Sequence, residues 1–408
     1  MSTRTVGPRG NERGGAGLIP AALHHRLVAL RRDLHEHPEL SFQEKRTASV
    51  LERELAAVGV QRVERVGETG LVARIAGRDR GLPPVAVRGD IDALPIQEAT
   101  GLPFASTNSG VMHACGHDVH AAWAVGAAAL LAAQPAQGDV LIVLQPAEEI
   151  GEGARAIIES GALDEIRMIF GAHVDRRFTV GQVVAQAGAL AASADNFEIE
   201  LLGRGAHGAR PHESADPVVG LAALVTALQT IVARRVNPAL PAVVTVGMIS
   251  AGTAPNVIPD RASLQGTMRA TDATTRAMLR DALGEIATHV AAAHGLQARV
   301  TIGRGVPPVV NDADAARLAA DAASAVLGAG AVVPLGTPNM AAEDFAFYLE
   351  RAPGCFLRIG ARRDGEAVIA AHSPQFDVAE EAIAVGATVL AEAARRASAA
   401  LGEGGTTR

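Results

Sequence analysis

The sequence predicts an α/β protein in which a mixed-sheet domain is interrupted by an inserted ferredoxin-like domain. Helical and strand-like patterns alternate through residues 19–193 and again through 305–400, which is typical of an α/β domain. Residues 194–304 instead run strand, helix, strand, strand, helix, strand, the βαββαβ order of ferredoxin-like domains. A chain of 408 residues is also too long for one simple core, so two domains are expected.

The elements of the first domain follow from the spacing and length of its apolar runs. An amphipathic helical period runs through residues 21–59 and is broken at His37-Pro38. Segment 120–133 is nearly all apolar, which predicts a buried helix rather than an amphipathic one. The other predicted elements are strands at 71–76, 84–88, 139–145, 168–173 and 355–360, and helices at 313–327 and 378–399.

The inserted domain begins where the pattern changes, near residue 193. Its predicted elements are strands at 197–202, 243–249, 262–268 and 298–302, and helices at 218–236 and 275–293. Outside both domains lie two segments of low complexity, residues 1–18 and residues 401–408. We expect both of these termini to be disordered.

Composition and charge exclude several classes of protein. A net charge of −7 and a pI near 6.0, without an arginine cluster, argue against a nucleic-acid partner and favour a small-molecule substrate. Two cysteines cannot staple a chain of this length, which indicates a reducing compartment. No apolar run approaches the ~20 residues of a membrane span, so we expect a cytoplasmic protein without a membrane partner. Lys45, the only lysine, lies in a polar stretch, which argues against Schiff-base chemistry.

Residues that commonly bind metals are concentrated in segment 112–120, which contains one cysteine, three histidines and one aspartate. Ordinary folding does not need this density of thiol, imidazole and carboxylate groups. Further candidates follow the predicted strands: Asp90, Asp92, Glu148, Glu149, His173 and His372. In open α/β sheets, ligands bind beyond the carboxyl ends of the strands. We therefore expect these segments to meet at one edge of the sheet and to form a metal-dependent hydrolase centre.

Single residues of segment 112–120 also admit structural roles. Taken alone, Cys115 could be a small buried hydrophobe and His117 a core histidine with satisfied hydrogen bonds. Asp118 is well placed to cap the helix that follows it. We expect His113 and His120 to pack or to support the site rather than to bind metal.

Several ordered blocks of the chain together resemble the M20 metallopeptidase family. The resemblance is to its amidohydrolase subgroup, which includes hippurate hydrolases and auxin amino-acid conjugate hydrolases. It covers nearly the whole chain. The blocks are Arg32–Leu40, Arg88–Pro95, His113–Asp118, Gln145–Glu149, Gly205–His212, Asn256–Pro259 and Glu343–Phe345.

This resemblance implies a metallohydrolase catalytic domain with a site for two divalent metal ions per subunit, Zn²⁺ or Mn²⁺. The implied metal ligands are Cys115, His117, Glu149, His173 and His372. His117 takes the place of a bridging carboxylate in the peptidase branches of the family. Cys115 is the extra ligand of the amidohydrolase subgroup.

Catalytic and substrate roles are also implied. Glu148 is expected to be the general base, although the pair Glu148-Glu149 could also form a solvated acidic turn. Asp92 is expected to orient an imidazole ligand, and Asp90 is a weaker candidate for the same role. In the inserted domain, the resemblance gives His207 and Asn256 roles in holding the oxyanion and the substrate carboxylate. The glycine-rich stretch around His207 could instead be a simple turn.

The expected reaction is hydrolysis of the amide bond of an N-acyl amino acid to a carboxylate and a free amino acid. The sequence leaves the acyl group open, because segments 174–178 and 339–342 depart from the family pattern on the substrate side. An aminopeptidase or dipeptidase of the same family is the nearest alternative, and a catalytically silent metal-binding protein is another. The inserted domain is expected to act as a lid and to form a homodimer or a higher homo-oligomer. Whether His207 acts within its own subunit or across a dimer stays open.

Overall fold

The computed structural model describes residues 17–404 and divides into two compact units. The first unit comprises the chain up to Ala187, Asn311–Leu335 and the chain from Tyr348 onward. The second unit comprises Gly188–Val310 and Gly336–Phe347. Segment Gly336–Phe347 thus groups with the second unit, whereas the predicted boundaries had placed it in the catalytic domain.

Helices and strands alternate along most of the described chain. In chain order the strands are β1 (Arg62–Val66), β2 (Gly70–Ile75), β3 (Val85–Asp90), β4 (Val140–Gln145), β5 (Met168–Thr179), β6 (Val183–Val184), β7 (Gly188–Ala191), β8 (Asp195–Leu202), β9 (Ala206–His207), β10 (Ala242–Ala251), β11 (Val257–Ile258), β12 (Arg261–Ala270), β13 (Gln297–Ile302), β14 (Val309–Asn311) and β15 (Gly354–Arg362). The α-helices are α1 (Ala21–Glu36), α2 (Lys45–Ala57), α3 (His117–Ala133), α4 (Gly153–Glu159), α5 (Pro217–Leu228), α6 (Ala273–Ala293), α7 (Ala313–Leu327), α8 (Ala346–Leu349) and α9 (Glu381–Gly404). Short 3-10 helices lie at Pro211–Glu213 and Ala329–Ala331, and a π-helical turn lies at Ile231–Arg235.

The first unit is built on a seven-stranded sheet in the order β1-β2-β4-β3-β5-β15-β6. The central strand β3 runs parallel to β4 and β5, and β5 runs parallel to β15. Strands β1, β2 and β6 pair antiparallel with their neighbours, so the predicted mixed sheet is confirmed. Because β3, β4 and β5 run in one direction, the segments that follow them emerge at the same edge of the sheet.

Helix α3 forms the centre of the helical packing of this unit. Its residues from His117 to Ala128 are buried, as the nearly all-apolar sequence predicts, and it packs against α1 and α9. The fully buried Trp123 lies against Gly386 of α9, where an added Cβ would come within 2.2 Å of the indole ring. Only glycine at this position therefore lets α9 approach α3 this closely.

The structure corrects two predictions in the first unit. Helix α3 begins at His117 because Gly116 adopts a φ of 92° and forms the N-cap, so the prediction that Asp118 caps this helix is wrong. Helix α9 continues to Gly404 and Leu401 packs against the core, so the disorder predicted for 401–408 is wrong for its first four residues. Residues 1–16 and 405–408 lie outside the described part of the chain.

The second unit has the predicted ferredoxin-like order. Its four-stranded antiparallel sheet runs β10-β12-β8-β13, and α5 and α6 pack against it. Along β8, buried and less buried residues alternate, with Phe197, Ile199 and Leu201 in the core. This period of two matches a sheet that is covered on one face.

One helical stretch of the second unit contradicts an expectation from the sequence. Pro217–Arg235, which contains α5, is long and apolar enough to cross a membrane, with a mean hydropathy of 1.6. The expectation that no apolar run approaches this length is therefore wrong for this stretch. One third of the stretch is buried, and Leu221, Leu224 and Leu228 pack in the core of the unit. One face of this stretch thus packs into the core of the second unit, and its other face is exposed.

Candidate functional site

Three parallel strands deliver polar side chains to one edge of the first unit's sheet. Asp90 ends β3, Glu148 and Glu149 follow β4, and His173 lies within β5. The first turn of α3 and the segment after β15 contribute the remaining groups. The structure brings together these predicted residues: Asp90, Asp92, Cys115, His117, Glu148, Glu149, His173 and His372.

His117 is the buried centre of this cluster. Its Nδ1 lies 2.9 Å from the backbone oxygen of Asp92 and 3.1 Å from Asp92 Oδ1, so this nitrogen donates to Asp92. Its Nε2 has no hydrogen-bond partner, and carboxylate oxygens of Asp90, Glu148 and Glu149 lie 3.7, 3.9 and 3.8 Å away. Burial alone would lower the pKa of His117, but the charge of Asp90 and the hydrogen bond to Asp92 raise it well above its usual value. These surroundings favour a positive charge at Nε2.

Cys115 and His173 form a second contact at the same centre. Cys115 Sγ lies 3.3 Å from His173 Nε2, while His173 Nδ1 donates to the backbone oxygen of Val174 at 2.6 Å. That bond leaves the lone pair of Nε2 facing the thiol. Burial, together with the charge of Glu149, raises the pKa of the Cys115 thiol, and burial lowers the pKa of His173. Both groups are therefore neutral until a cation favours the thiolate.

The turn after β4 holds the two glutamates. Ala147 adopts a φ of 53°, which few non-glycine residues adopt, and its N–H donates to Glu44 Oε1 at 2.9 Å. The N–H of Glu149 donates to Asp92 Oδ2 at 3.1 Å. Burial, opposed by the charge of His117 and increased by that of Asp92, raises the pKa of Glu149 to about 7. Burial thus disfavours the charged form of Glu149 in the absence of a cation.

His372 reaches this centre from the segment after β15. Its φ is 67°, and its N–H donates to the backbone oxygen of Ala114 at 2.8 Å. The imidazole is half exposed, and its Nε2 lies 3.6 Å from Glu149 Oε2. A backbone bond to the segment that carries Cys115 therefore positions this histidine, although it lies more than 200 residues from both Ala114 and Glu149 in the sequence.

The side chains of two predicted supporting residues, His120 and Asp90, are bound by protein partners. His120 Nδ1 bonds Asp90 Oδ1 at 2.6 Å, and His120 Nε2 accepts from the N–H of Val174 at 3.0 Å, so neither nitrogen is available to a metal. Asp90 also contacts Arg88 at 2.6 Å. Asp118 accepts from Arg31 and His35 instead of capping α3.

His113 is buried, and neither of its ring nitrogens has a hydrogen-bond partner. Burial lowers the pKa of His113 to about 4, so the ring is neutral at physiological pH. The structure therefore agrees with the prediction that His113 packs, and it shows no polar contact through which this ring would support the site.

The cluster fits a pair of divalent metal ions. Among the described residues, five groups have all their potential ligand atoms within 4.8 Å of one another. Three of them combine Cys115 with His117 and His173, Cys115 with Glu149 and His372, and His117 with Glu148 and Glu149; the other two are Asp90 with His117 and His120, and Glu148 with Glu343 and Asp344. The groups share residues, so they describe adjacent positions within one centre. His117 Nε2 and Glu149 Oε1 are both buried without a hydrogen-bond partner, which is costly unless a cation binds them. Thiolate, imidazole and carboxylate donors suit zinc, and the last two also suit manganese.

Sequence reasoning did not single out Ser41 and Glu44, although both contact the centre. Ser41 Oγ donates to Asp92 Oδ2 at 2.8 Å, and Glu44 is fully buried below the Ala147 turn. A serine and a glutamate between two helices carry no spacing signal, and only the tertiary contacts reveal their partners.

The substrate-binding candidates His207 and Asn256 lie next to each other in the second unit. His207 pairs with Val257 between β9 and β11, and the N–H of Gly208 donates to the backbone oxygen of Asn256 at 2.8 Å. Both side chains are exposed. His207 also lines an open hollow of about 760 Å³ within this unit, together with Arg261 and other residues.

Comparisons with known proteins agree with this geometry. The model of the peptidase family M20/M25/M40 matches residues 86–396. The chain is 42% identical over 378 residues to N-acetyl-L-cysteine deacetylase of Bacillus subtilis, covering 92% of this chain and 89% of that protein. It is 37% identical over 375 residues to the IAA-amino acid hydrolase ILR1-like 2 of Arabidopsis thaliana, covering 90% and 84%.

A solved structure extends the comparison to the fold. The crystal structure of the Bacillus subtilis YXEP protein, a dinuclear metal binding peptidase from the M20 family, superposes with a TM-score of 0.82. The two chains are 38% identical, and the match covers 92% of this chain and 98% of that one.

Proposed function

Because the chain belongs to the peptidase family M20/M25/M40, we propose that it is a metal-dependent amidohydrolase that cleaves the amide bond of N-acyl amino acids. The family and the amidohydrolase subgroup predicted from the sequence are both confirmed. The observation that carries the proposal is the pair Glu148-Glu149 at His117: one carboxylate can bind a cation and its neighbour can transfer a proton. Hydrolysis needs a general base beside the metal ligands, and Glu148 is placed to supply it.

We propose that the metal ligands are the five predicted residues, and that they hold two ions per subunit, zinc or manganese. These ligands are Cys115, His117, Glu149, His173 and His372. When bound, such ions polarise the amide carbonyl and acidify a water molecule. The hydrogen bonds of His117 to Asp92 and of His173 to the Val174 carbonyl leave one nitrogen of each ring for the metal.

Within this centre Glu148 acts as the general base. Its carboxylate takes a proton from the attacking water and returns that proton to the leaving nitrogen. Asp92 keeps His117 in the orientation that points Nε2 at the glutamates, and it holds the N–H of Glu149 in place. His207 and Asn256 remain our candidates for stabilising the oxyanion and for binding the substrate carboxylate.

A hydrolysis screen tests the function. The purified protein is reconstituted with Mn²⁺, Zn²⁺ or Co²⁺ and offered N-acyl amino acids and dipeptides, varied separately in acyl group and amino acid. We expect N-acyl amino acids to give the higher kcat/KM. Faster turnover of dipeptides would favour the peptidase alternative, which the M20 peptidase structure keeps open. Metal binding without any turnover would favour the silent alternative.

Cys115 provides a test of the metal centre that does not depend on activity. If metal binds the Cys115 thiolate, it shields this sulfur, so alkylation of Cys115 should rise sharply after treatment with EDTA. Cys355 is fully buried in the same unit and serves as the internal control. Equal modification of Cys115 with and without metal, at unchanged fold, would contradict the ligand role.

We also propose that the protein forms a homodimer or a higher homo-oligomer through its second unit. Strand β10 is an edge strand, and its Met248 and Ile249 are 65% and 59% exposed. On α5, Val218 and Val219 are 43% and 55% exposed. An apolar edge strand and an apolar helix face favour pairing with a second copy. Light scattering tests this proposal by comparing the molar masses of the wild type and of a Val219→Asp variant in solution.

The remaining expectations concern compartment and partners. We propose a cytoplasmic location, a small-molecule substrate, and no nucleic-acid or membrane partner. The acidic net charge of −7 supports the absence of nucleic acid. The packing of Leu221, Leu224 and Leu228 in a domain core supports a role for Pro217–Arg235 outside a membrane.

A further inference from the structure

Phe42 adopts a backbone conformation that its side chain does not favour. Its φ is 60°, in the left-handed region, and the other non-glycine residues of the described chain with positive φ are Ala147 and His372. A bulky residue in this region is an outlier that persists only where the surrounding structure imposes it. Ala147 precedes the glutamate pair and His372 is a proposed ligand, so strain of this kind is concentrated in the segments that build the metal centre.

The neighbours of Phe42 impose this conformation. On one side, Ser41 donates to Asp92 Oδ2, the same oxygen that accepts from the N–H of Glu149. On the other side, Glu44 accepts from the N–H of Ala147. Segment 41–44 is therefore fixed at both ends to the loops that carry the catalytic carboxylates. In the sequence, Phe42 lies between these two anchors.

The ring of Phe42 is nevertheless 44% exposed, so burial does not account for the residue. Ile150, which directly follows Glu149, is 56% exposed, and Val368, four residues before His372, is 57% exposed. These three are the exposed large hydrophobic residues of the first unit within residues 17–404. Single exposed hydrophobic residues are usually scattered over a surface. Here each lies on a separate loop, and each of these loops also carries a residue of the metal centre or of its support.

We propose that Phe42 and Ile150, with Val368, form an apolar rim that receives the acyl group of the substrate and selects apolar acyl groups over acetyl. This inference rests on the proposed function and deepens it, because the sequence left the acyl group open. The strained, anchored backbone holds the Phe42 ring in place before the substrate arrives, which reduces the entropy lost on binding.

The test compares two substrates that differ only in the acyl group, N-acetylglycine and N-phenylacetylglycine, with the metal-loaded enzyme. For Phe42→Ala, the ratio of kcat/KM for phenylacetyl over acetyl should fall at least about tenfold, mainly through KM, since an apolar subsite contributes discrimination of this order. Ile150→Ala should lower the same ratio. Phe42→Leu, which keeps an apolar side chain, should retain most of it.

Phe42→Gly separates strain from contact. Glycine adopts positive φ without cost, so this variant should unfold at a temperature about 2–4 °C above that of Phe42→Ala while losing the same discrimination. The matched control is Val63→Ala on the edge strand β1, which truncates a partly buried apolar side chain outside the rim. It should leave the ratio unchanged.

The outcomes separate the rim from the proposed function. If the wild type hydrolyses both substrates but the Phe42→Ala and Ile150→Ala ratios equal that of the wild type, the rim is wrong and the function stands. If the wild type hydrolyses neither substrate, nor any other N-acyl amino acid, the function fails and the rim fails with it. A fall in the ratio that Val63→Ala reproduces would show a general loss of structure and would also overturn the rim.

Discussion

The two units present their candidate functional residues in opposite ways. In the first unit, His117 is fully buried, and Asp92 fixes its surroundings by accepting hydrogen bonds from His117 Nδ1 and from the N–H of Glu149. In the second unit, His207 and Asn256 are exposed and are held mainly by backbone contacts within their own short strands and turns. The first arrangement is preorganised for a charged ligand, whereas we propose that a substrate or a second subunit completes the second.

From this difference we expect a substitution in the metal centre of the first unit to abolish catalysis itself. Glu148→Gln should fold and keep its metal but lose roughly 10²–10⁴ in kcat, because the amide cannot accept the proton from water. In one and the same sample, the metal content from elemental analysis should therefore stay normal while turnover falls. Near-normal turnover in the metal-replete variant would remove Glu148 from the mechanism.

A substitution in the second unit should leave metal binding unchanged. His207→Ala should lose about 10²–10³ in kcat if it removes a donor to the oxyanion, with metal content and unfolding temperature unchanged. His212→Ala, an exposed histidine of the same region, is the matched control. Equal effects of the two variants would contradict a specific role for His207.

A mixing experiment decides whether His207 works across a dimer. Inactive His207→Ala and Glu148→Gln subunits are combined under conditions of verified subunit exchange. A hybrid can contain one site with both native residues, so partial recovery of activity is expected if the histidine acts in trans. Absence of recovery would confine His207 to its own subunit or to a structural role.

A smaller effect on catalysis is expected at Glu44, which supports the glutamate turn only indirectly. Glu44→Ala leaves the N–H of Ala147 without its acceptor and should lower kcat roughly tenfold or more by letting the glutamate turn move. Glu44→Gln keeps a carbonyl oxygen at this position and should restore most of the activity. Burial raises the pKa of Glu44, so the neutral amide is a close substitute. If Gln and Ala behave alike, the hydrogen bond to Ala147 is not what matters.

The smallest effect concerns the pH dependence of the stability of the first unit. Burial would lower the pKa of His35, but its contacts with Asp118 and Glu98 raise it to about 9, from an ordinary value of 6.5. The folded state binds this proton more tightly, so the stabilisation is complete below pH 6.5 and is lost as pH rises towards 9. The free energy of unfolding, measured with urea, should be lower at pH 9 than at pH 6. In His35→Gln this difference between the two pH values should be smaller. An equal loss in the variant would assign the pH dependence to other groups.

The sequence was most informative where the signal is local. Helix α3, the strands β3 and β4 and the βαββαβ order of the second unit lie within a few residues of their predicted positions, because apolar periodicity reflects which faces are buried. Strand β5 begins where it was predicted but continues to Thr179, six residues beyond its predicted end. Strand β1 was missed because it is mostly exposed, and the cap of α3 was misplaced because Gly116, rather than Asp118, adopts the conformation that begins the helix.

Local chemistry also gave the candidate donors of the site, since thiol, imidazole and adjacent carboxylates are rare together, and the family resemblance then implied which of them bind metal. Tertiary structure alone decided how they are used: which nitrogen of His117 and His173 stays available, that His120 is fully occupied, and that Ser41 and Glu44 hold the carboxylate loops. The positive φ of Phe42 and the exposure of its ring are likewise invisible in the sequence. The reason is physical: residue type fixes what a side chain can bind, whereas its actual partner depends on contacts between segments that lie far apart in the chain.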